Sequence, residues 1–325
     1  MRAIIPVAGV GSRLRPHTHT LPKVLLNVAG KPILGHILDK LIEEGITAAT
    51  IIVGYMGEMV EEYVRANYTI DLDFVEQPIR EGLGHSIYLA REALRDEPIL
   101  IILGDTIFDV DLQAVTRLEH SSLGVKTVED ARRFGVVELA GERVERLIEK
   151  PDVPPTNLAI VGIYFIRNAR LLSECLVELV ENDRRTRGEY QLTDALQMMI
   201  DRGETFTTFH VDGWFDCGKP ETLLETNRHL LERRPLDRRI TGVVVNPPVH
   251  IAPSAQIENA VIGPYATVAD GAVVRDAVVA DSIVGAGATV ERMLLRGSII
   301  GDNATVRGAW HRVNIGADSE LESNP

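Results

Sequence analysis

Short repeated units in the last quarter of the chain constrain its fold more than any other feature. After residue 243, aliphatic residues recur every five or six positions, and small or acidic residues follow them in a regular pattern. Hexapeptide repeats of this kind predict a left-handed parallel β-helix, in which each unit forms one side of a triangular coil and the aliphatic side chains stack inward. At three units per coil we expect roughly four coils, with a protruding turn at residues 310–312. The six units are IAPSAQ from Ile251, IGPYAT from Ile262, VADGAV from Val268, VGAGAT from Val284, IGDNAT from Ile300 and IGADSE from Ile315.

The preceding residues, 1–235, alternate between strand-like and helix-like stretches. The strand at residues 98–103 is apolar throughout, which is typical of a strand buried on both faces of a sheet. We expect a helix at 84–95 and a β-hairpin over 134–148. The alternation predicts a Rossmann-like α/β fold with a mainly parallel sheet, and ligands of such sheets bind beyond the carboxyl ends of the strands. We therefore predict two domains, residues 1–235 and 243–322.

Composition limits the kinds of partner. The 325-residue chain has a net charge of −13, which argues against binding along DNA or RNA but allows a single nucleotide in a local basic pocket. Its two cysteines, Cys175 and Cys217, have no paired spacing, so we expect neither a disulfide framework nor a zinc ribbon. No apolar run approaches the ~18 residues of a membrane span. We therefore expect a cytoplasmic protein that binds neither a nucleic acid polymer nor a membrane.

A glycine-rich loop follows the first apolar stretch, residues 3–8. Gly9 and Gly11 let the backbone turn sharply and expose its N–H groups, and Arg13 and Lys23 add positive charge nearby. Backbone amides and cations together suit a polyphosphate. A strand followed by G-x-G is by itself more often an ordinary tight turn, and neither the dinucleotide-binding pattern nor the Walker pattern is complete here.

The loop is part of a longer ordered pattern, G-x-G-x-R-x-x-P-x-T at residues 9–18 followed by Pro22-Lys23. This pattern resembles the N-terminal segment of the sugar-phosphate nucleotidylyltransferases, which join a nucleoside triphosphate to a sugar 1-phosphate and release pyrophosphate. The resemblance extends over residues 2–232. It implies that Arg13 and Lys23 act in catalysis. The nucleotide contacts that it implies in this segment are Ala8, Gly9, Gly11, Ser12, Arg13 and Lys23.

Two aspartates follow strand-like stretches, Asp105 in L-G-D and Asp216 in W-F-D-C-G. Either acid could simply cap a following helix. Both segments resemble family segments whose aspartates bind Mg²⁺ between the triphosphate and the sugar phosphate, although Thr106 stands where relatives usually carry asparagine. The resemblance therefore implies Mg²⁺ as a cofactor with Asp105 and Asp216 as ligands, and Mg²⁺ prefers one or two carboxylates completed by water and phosphate. Cys217 has no histidine placed to activate it, so we expect it to be a packing residue.

Further segments resemble the sugar-phosphate side of the family's site. F-G-V-V at residues 134–137 and E-K-P at 149–151 match a family pair in which the lysine, here Lys150, holds the sugar phosphate and acts in catalysis. Alone, E-K-P would be an ordinary turn. The sugar-phosphate contacts implied by the resemblance are Gly135, Glu149, Lys150, Gly162 and Glu189.

Gln77 and Gly82 lie in a segment that indicates which base is bound. The Gln77 amide offers a donor and an acceptor, which match the imide edge of thymine or uracil, and Gly82 allows a close approach of its backbone. The pattern Q-P-x-x-x-G-L-G-H at 77–85 resembles the base-reading segment of thymidylyl- and uridylyltransferases that act on glucose 1-phosphate. We therefore expect dTTP and glucose 1-phosphate as substrates. UTP is the alternative nucleotide, because no residue visibly reads the methyl group or the 2′-hydroxyl.

Two other interpretations remain open. Some related heteromers contain regulatory subunits of this fold without transferase activity, but such a subunit is expected to lack the metal-binding acids or Arg13, which are present here. Some relatives use the β-helix as an acyltransferase. The histidines of the repeat region, His250 and His311, lie in no recognisable catalytic segment. We therefore expect the repeats to stabilise the protein and to hold a homo-oligomer together.

Overall fold

The first part of the chain is built on a nine-stranded sheet in the computed structural model, which describes residues 1–233 and 240–309. The strands of this part are β1 (Arg2–Pro6), β2 (Asn27–Val28), β3 (Lys31–Pro32), β4 (Ala48–Val53), β5 (Asp71–Glu76), β6 (Ile99–Ile102), β7 (Thr106–Asp109), β8 (Ser121–Thr127), β9 (Gly135–Ala140), β10 (Arg143–Glu149), β11 (Leu158–Ile166), β12 (Phe206–His210) and β13 (Gly213–Asp216). The helices are α1 (Ile33–Glu43), α2 (Gly57–Asn67), α3 (Leu83–Leu89), α4 (Leu112–Thr116), α5 (Ala169–Glu181), α6 (Leu192–Asp201) and α7 (Pro220–Glu232).

The sheet is mainly parallel, as predicted. Its path is β10-β9-β11-β6-β1-β4-β5, and β8 pairs with both β11 and β12. The pairs β1–β4, β1–β6, β4–β5 and β8–β12 are parallel. By contrast, β11 is antiparallel to β6, β8 and β9, and β10 is antiparallel to β9. Seven of the nine strands therefore run in one direction, which confirms the Rossmann-like sheet.

The central strands are apolar because both of their faces are covered. Every residue of β6 is buried, and Ile4 of β1 is fully buried between Thr50 and Ile101 of its parallel neighbours. Three of these parallel strands, β1, β5 and β6, end at the same edge of the sheet. The loops at residues 7–25, 77–82 and 103–105 follow them, and they carry most of the residues expected to bind the nucleotide.

The structure differs from the sequence prediction at α3 and at β8, among other places. α3 ends at Leu89, and a separate 3-10 turn at Arg91–Ala93 follows it, where the sequence predicted one helix to residue 95. β8 was not predicted, because Ser121 and Ser122 weaken its apolar pattern. These two hydroxyls are buried and hydrogen-bonded, to Glu204 and Thr207 respectively. The predicted hairpin is present as antiparallel β9 and β10.

The hexapeptide repeats form a second unit with its own core. Its described strands make three four-stranded parallel sheets. Each coil contributes one strand to each sheet, so these strands make four coils. This arrangement confirms the predicted left-handed parallel β-helix. The unit at Ile315 and the expected turn at 310–312 lie outside the described residues. The strands are β14 (Val244–Val245), β15 (Val249–Ile251), β16 (Gln256–Glu258), β17 (Val261–Ile262), β18 (Ala266–Val268), β19 (Val273–Arg275), β20 (Val278–Ala280), β21 (Ile283–Val284), β22 (Thr289–Glu291), β23 (Leu294–Arg296), β24 (Ile299–Ile300) and β25 (Thr305–Arg307).

Stacked aliphatic side chains fill the inside of the coils. Ile262, Val279 and Leu295 take equivalent positions in successive coils and are all buried. Each coil therefore uses 16 or 17 residues, which is three sides of five or six residues each. The aliphatic residues recur every five or six positions because each side of the triangular coil places one of them inside.

The two compact units divide inside α7, between Thr226 and Asn227. Within the second unit, Asn227 Nδ2 donates to the Tyr265 carbonyl at 3.1 Å and Asn227 Oδ1 accepts from Thr267 Oγ1 at 2.6 Å, so the end of α7 is tied to the coils. The sequence-based boundary at residue 235 falls between the described segments and stays a prediction. In residues 1–233 and 240–309, no helix is long and apolar enough to cross a membrane.

Candidate active site

Two adjoining cavities open at the carboxyl edge of the sheet. The first has a volume of about 320 Å³ and the second about 280 Å³. Leu83, Leu103, Asp105 and Glu189 line both cavities, so the two spaces meet at these residues. The arrangement offers two neighbouring compartments that share two carboxylates, Asp105 and Glu189.

The residues expected to bind the nucleotide divide into two groups. Five of the expected residues line the first cavity, whereas Gly11, Ser12 and Arg13 lie in the adjoining loop and do not. Gly11 has φ +65°, and a Cβ there would lie 2.9 Å from Lys23 Cβ, so this glycine lets the loop fold against Lys23. The residues that line the first cavity are Ala8, Gly9, Lys23, Gln77 and Gly82.

Lys23 is ion-paired with Asp105, a contact that the sequence analysis missed. The Lys23 Nζ lies 2.5 Å from Asp105 Oδ2, and the Lys23 side chain is only 7% exposed, against 38% for Asp105. A buried ammonium group is costly unless it is paired, and this carboxylate supplies the pairing. The Lys23 ammonium and the Asp105 carboxylate are therefore held at one point of the first cavity.

Asp216 and Arg13 are brought to the same place by the β7–β13 ribbon. Asp216 pairs with Thr106 across this ribbon, and the Cys217 N–H donates to the Asp105 carbonyl at 3.0 Å. A Cβ built on Gly218 would lie 2.7 Å from an Arg13 guanidinium nitrogen and 2.8 Å from Asp216 Oδ1. The ribbon and Gly218 together allow Arg13 and both acids to gather at one site.

Cys217 lies among these charged groups but is fully buried. Burial raises the pKa of its thiol to about 12, and its Sγ lies 3.4 Å from Thr226 Oγ1. A thiol with so high a pKa carries almost no thiolate near neutral pH, so it is a poor nucleophile. The geometry agrees with the packing role expected from the sequence.

All five residues expected to bind the sugar phosphate line the second cavity, namely Gly135, Glu149, Lys150, Gly162 and Glu189. Glu149 Oε2 accepts from Thr193 Oγ1 at 2.6 Å, and Glu149 Oε1 lies 3.0 Å from Lys150 Nζ. Gly162 has φ +84°, and a Cβ there would meet the Leu103 side chain at 2.7 Å. The glutamate thus orients the lysine, and the glycine keeps the cavity wall close to β6. Asp105 and Asp216 line the same cavity.

Several residues lining the cavities were not among the expected contacts. Phe134 and Trp214 pack edge to face with ring centroids 5.1 Å apart on the second cavity, and both lie inside motifs that the sequence analysis quoted. Arg133 also lines the second cavity, next to the F-G-V-V segment. Arg80 and Ser86 line the first cavity, inside or beside the Q-P-x-x-x-G-L-G-H segment. The motifs therefore mark the segments that form the cavities, and their variable positions also contribute to the walls.

Gln77 lines the first cavity, and its amide nitrogen contacts the segment that follows β5. Gln77 is buried, its Nε2 donates to the Gly82 carbonyl at 3.3 Å, and the same nitrogen lies 3.4 Å from His85 Nδ1. The Gly82 carbonyl engages an amide N–H group of Gln77, and Oε1 makes no side-chain hydrogen bond within the described residues, so Oε1 is an acceptor that can bind a ligand. The donor and acceptor expected of this side chain stay a prediction.

The comparisons with known proteins agree with this geometry. The sequence profile of the nucleotidyl transferase family matches residues 2–233. The chain belongs to this family. Over 242 residues it is 33% identical to the UTP–glucose-1-phosphate uridylyltransferase AglF of Haloferax volcanii, which covers 71% of this chain and 97% of AglF. Over 298 residues it is 33% identical to the glucose-1-phosphate thymidylyltransferase of Streptomyces antibioticus, which covers 88% of this chain and 78% of that protein.

A solved structure shows the same fold. A UDP-glucose pyrophosphorylase complexed with UDP-glucose superposes with a TM-score of 0.62 at 24% identity, over 72% of this chain and 99% of that chain. The protein is thus a sugar-phosphate nucleotidyltransferase of the nucleotidyl transferase family with a C-terminal β-helix, as the sequence motifs predicted.

Proposed function

We propose that the protein transfers a thymidylyl group from dTTP to glucose 1-phosphate, giving a nucleotide sugar and pyrophosphate. The observation that carries this proposal is the pair of adjoining cavities that share Asp105. Gln77 lines the first, and Lys150 lines the second. A transferase of this kind must hold two phosphorylated substrates side by side, and the two cavities provide neighbouring places for them.

The reaction needs no nucleophile from the protein. A phosphate oxygen of the sugar 1-phosphate attacks the α-phosphorus of the triphosphate, the bond from that phosphorus to the bridging oxygen of the β-phosphate breaks, and pyrophosphate leaves. The protein contributes positioning and neutralisation of charge. Lys150 holds the sugar phosphate, Lys23 contacts the reacting phosphates, and Arg13 steadies the leaving pyrophosphate.

Asp105 and Asp216 form a donor set that fits Mg²⁺. Both carboxylates line the second cavity, and Asp105 also lines the first. Across the described residues, no group of three or more His, Cys, Asp or Glu side chains forms a metal cage. Two carboxylates with room for water and phosphate are the ligands that Mg²⁺ prefers. When bound, the ion supplies charge neutralisation at the phosphates.

The Oε1 acceptor of Gln77 supports a pyrimidine base, because thymine and uracil present an imide N–H that can donate to it. The choice between dTTP and UTP depends on a methyl group worth only about 1 kcal/mol and on the 2′-hydroxyl. The identities to a thymidylyltransferase and to a uridylyltransferase are equal at 33%. We place dTTP first because the match to the thymidylyltransferase extends further along this chain, and UTP is the alternative.

A pyrophosphate-release assay tests the proposal. The four common triphosphates are each combined with glucose 1-phosphate and with other sugar 1-phosphates, in the presence of Mg²⁺. We expect dTTP with glucose 1-phosphate to give the highest kcat/KM, followed by UTP. Faster turnover with ATP or GTP at matched concentration would contradict the role given to Gln77.

A further inference from the structure

Ser86 lines the first cavity and carries a hydroxyl that is unpartnered among the described residues. The residue lies on α3, is only 3% exposed, and is part of the cavity wall. Its Oγ is buried and makes no hydrogen bond within the described part of the chain. A buried hydroxyl without a partner costs stability, and a bound ligand is one of the explanations for such a group in a native protein.

The position of Ser86 links it to Gln77. The Ser86 N–H donates to the Gly82 carbonyl at 3.1 Å, and Gln77 Nε2 donates to the same carbonyl at 3.3 Å. Both residues are therefore tied to the same carbonyl, and both line the first cavity. Gln77 offers an acceptor there, whereas the Ser86 hydroxyl still has a hydrogen to donate. The imide edge of a pyrimidine carries an N–H beside carbonyls, so it needs both an acceptor and a donor.

We propose that the Ser86 hydroxyl is a specificity-determining group that donates a hydrogen bond to a carbonyl of the bound nucleobase. This inference rests on the proposed function, because it takes the first cavity to be the nucleotide site. It adds a hydroxyl donor beside the Gln77 acceptor. In the absence of nucleotide the hydroxyl is unsatisfied, and the base supplies its partner.

Calorimetric titration of the full-length protein tests the contact. The parent and Ser86→Ala are titrated with dTTP, UTP, dUTP and inorganic tripolyphosphate. We expect Ser86→Ala to bind all three nucleotides about 3- to 10-fold more weakly, since one neutral hydrogen bond is lost, and to bind tripolyphosphate as the parent does. Unchanged nucleotide affinity, or an equal loss for tripolyphosphate, would overturn the proposal. A loss confined to UTP would also overturn it, because the hydroxyl would then contact the 2′-hydroxyl.

Thermal unfolding without ligand separates binding from a structural role. Ser122 is a matched control, because it is also a buried serine but its Oγ is hydrogen-bonded to the His120 carbonyl and to Thr207. We expect Ser86→Ala to unfold at the same temperature as the parent or higher, and Ser122→Ala to unfold lower. A matching drop in both variants would show that the Ser86 hydroxyl serves the fold, which contradicts the proposal.

The two proposals fail separately. If ATP or GTP were turned over fastest, the pyrimidine assignment would be wrong, but a loss of affinity for dTTP, UTP and dUTP without a loss for tripolyphosphate would still support the Ser86 contact. If dTTP or UTP were preferred but Ser86→Ala bound them as the parent does, the proposed function would stand and the Ser86 contact would be wrong.

Discussion

At the scale of single residues, the site concentrates opposite charges that are far apart in the chain. Lys23 and Asp105 form an ion pair at the first cavity, and the Arg13 guanidinium comes close to Asp216 through the gap left by Gly218. Both acids lie where two negatively charged substrates are proposed to meet. The two carboxylates therefore need neighbouring cations, and Lys23 and Arg13 of the N-terminal loop supply them.

We predict that Asp105→Asn and Asp216→Asn each fold but lose most of their Mg²⁺-dependent turnover, on the order of 100-fold or more, since each removes one proposed metal ligand. Pyrophosphate release across a Mg²⁺ titration, with circular dichroism as the check on folding, measures this. Asp212→Asn is the control, because the Asp212 side chain is 91% exposed and lies near the same ribbon. Turnover near the parental rate in either folded variant would refute the two-acid assignment.

The two thiols give a prediction about pH. Burial raises the pKa of Cys175 to about 11 and that of Cys217 to about 12, whereas an unfolded cysteine titrates near 8.5. Above about pH 8.5 the unfolded chain loses these protons first, so the free energy of unfolding falls as pH rises from there toward 11 to 12. We expect neither thiol to react with a disulfide reagent at pH 8 in the native protein, and both to react in denaturant. A fast native reaction would show that one of them is accessible.

At the scale of elements, the Gln77–Ser86 segment depends on a tight contact with the chain before α6. Gly82 has φ +111°, and a Cβ there would lie 2.4 Å from the Tyr190 carbonyl oxygen. The Tyr190 N–H donates to the Glu81 carbonyl at 2.7 Å, and the Gly84 N–H donates to the Tyr190 carbonyl at 2.8 Å. This backbone contact joins the Gln77–Ser86 segment to Glu189, which lines both cavities.

We predict that Gly82→Ala lowers the free energy of unfolding by roughly 2–3 kcal/mol and weakens nucleotide binding, because it combines backbone strain with a steric overlap. Gly141→Ala is the matched control. Gly141 also has a positive φ, +66°, but among the described residues no atom beyond its chain neighbours lies within 4 Å of a Cβ there, so we expect a loss of about 1 kcal/mol from strain alone. Urea unfolding and the KM for the triphosphate measure both effects, and equal losses in the two variants would argue against the overlap.

At the scale of the whole molecule, one face of the β-helix carries an outward row of aliphatic side chains. Val244, Val261, Val278 and Leu294 lie in register across β14, β17, β20 and β23. Val244 is 56% exposed and Leu294 is 83% exposed. Flat faces and uncapped strand ends favour self-association, so this row supports the expected homo-oligomer.

We predict that a chain truncated after Arg233 keeps detectable nucleotidyl transfer and has a different number of subunits from the full-length protein. The residues that line the two cavities all lie within 6–216, so none of them belongs to the repeats. Light scattering gives the subunit number, and Leu294→Glu in the full-length chain serves as a second variant with the transferase unit unchanged. If the truncated and full-length proteins had equal subunit numbers, the repeats would not assemble the protein.

The sequence by itself determined the architecture of both units and the segments that form the site. Strands buried on both faces must be apolar throughout, and the sides of a triangular coil must place an aliphatic residue every five or six positions. The local pattern of apolar residues therefore predicts both folds. The tertiary structure alone decided how side chains from distant segments combine. Lys23 and Asp105 are 82 residues apart, and their pairing depends on how the N-terminal loop packs against the end of β6. The same holds for the Gln77 amide, because its orientation depends on the Gly82 carbonyl and His85 in the folded chain. Such contacts leave no periodic trace in the sequence, since they arise from packing between elements and not from the preferences of one element.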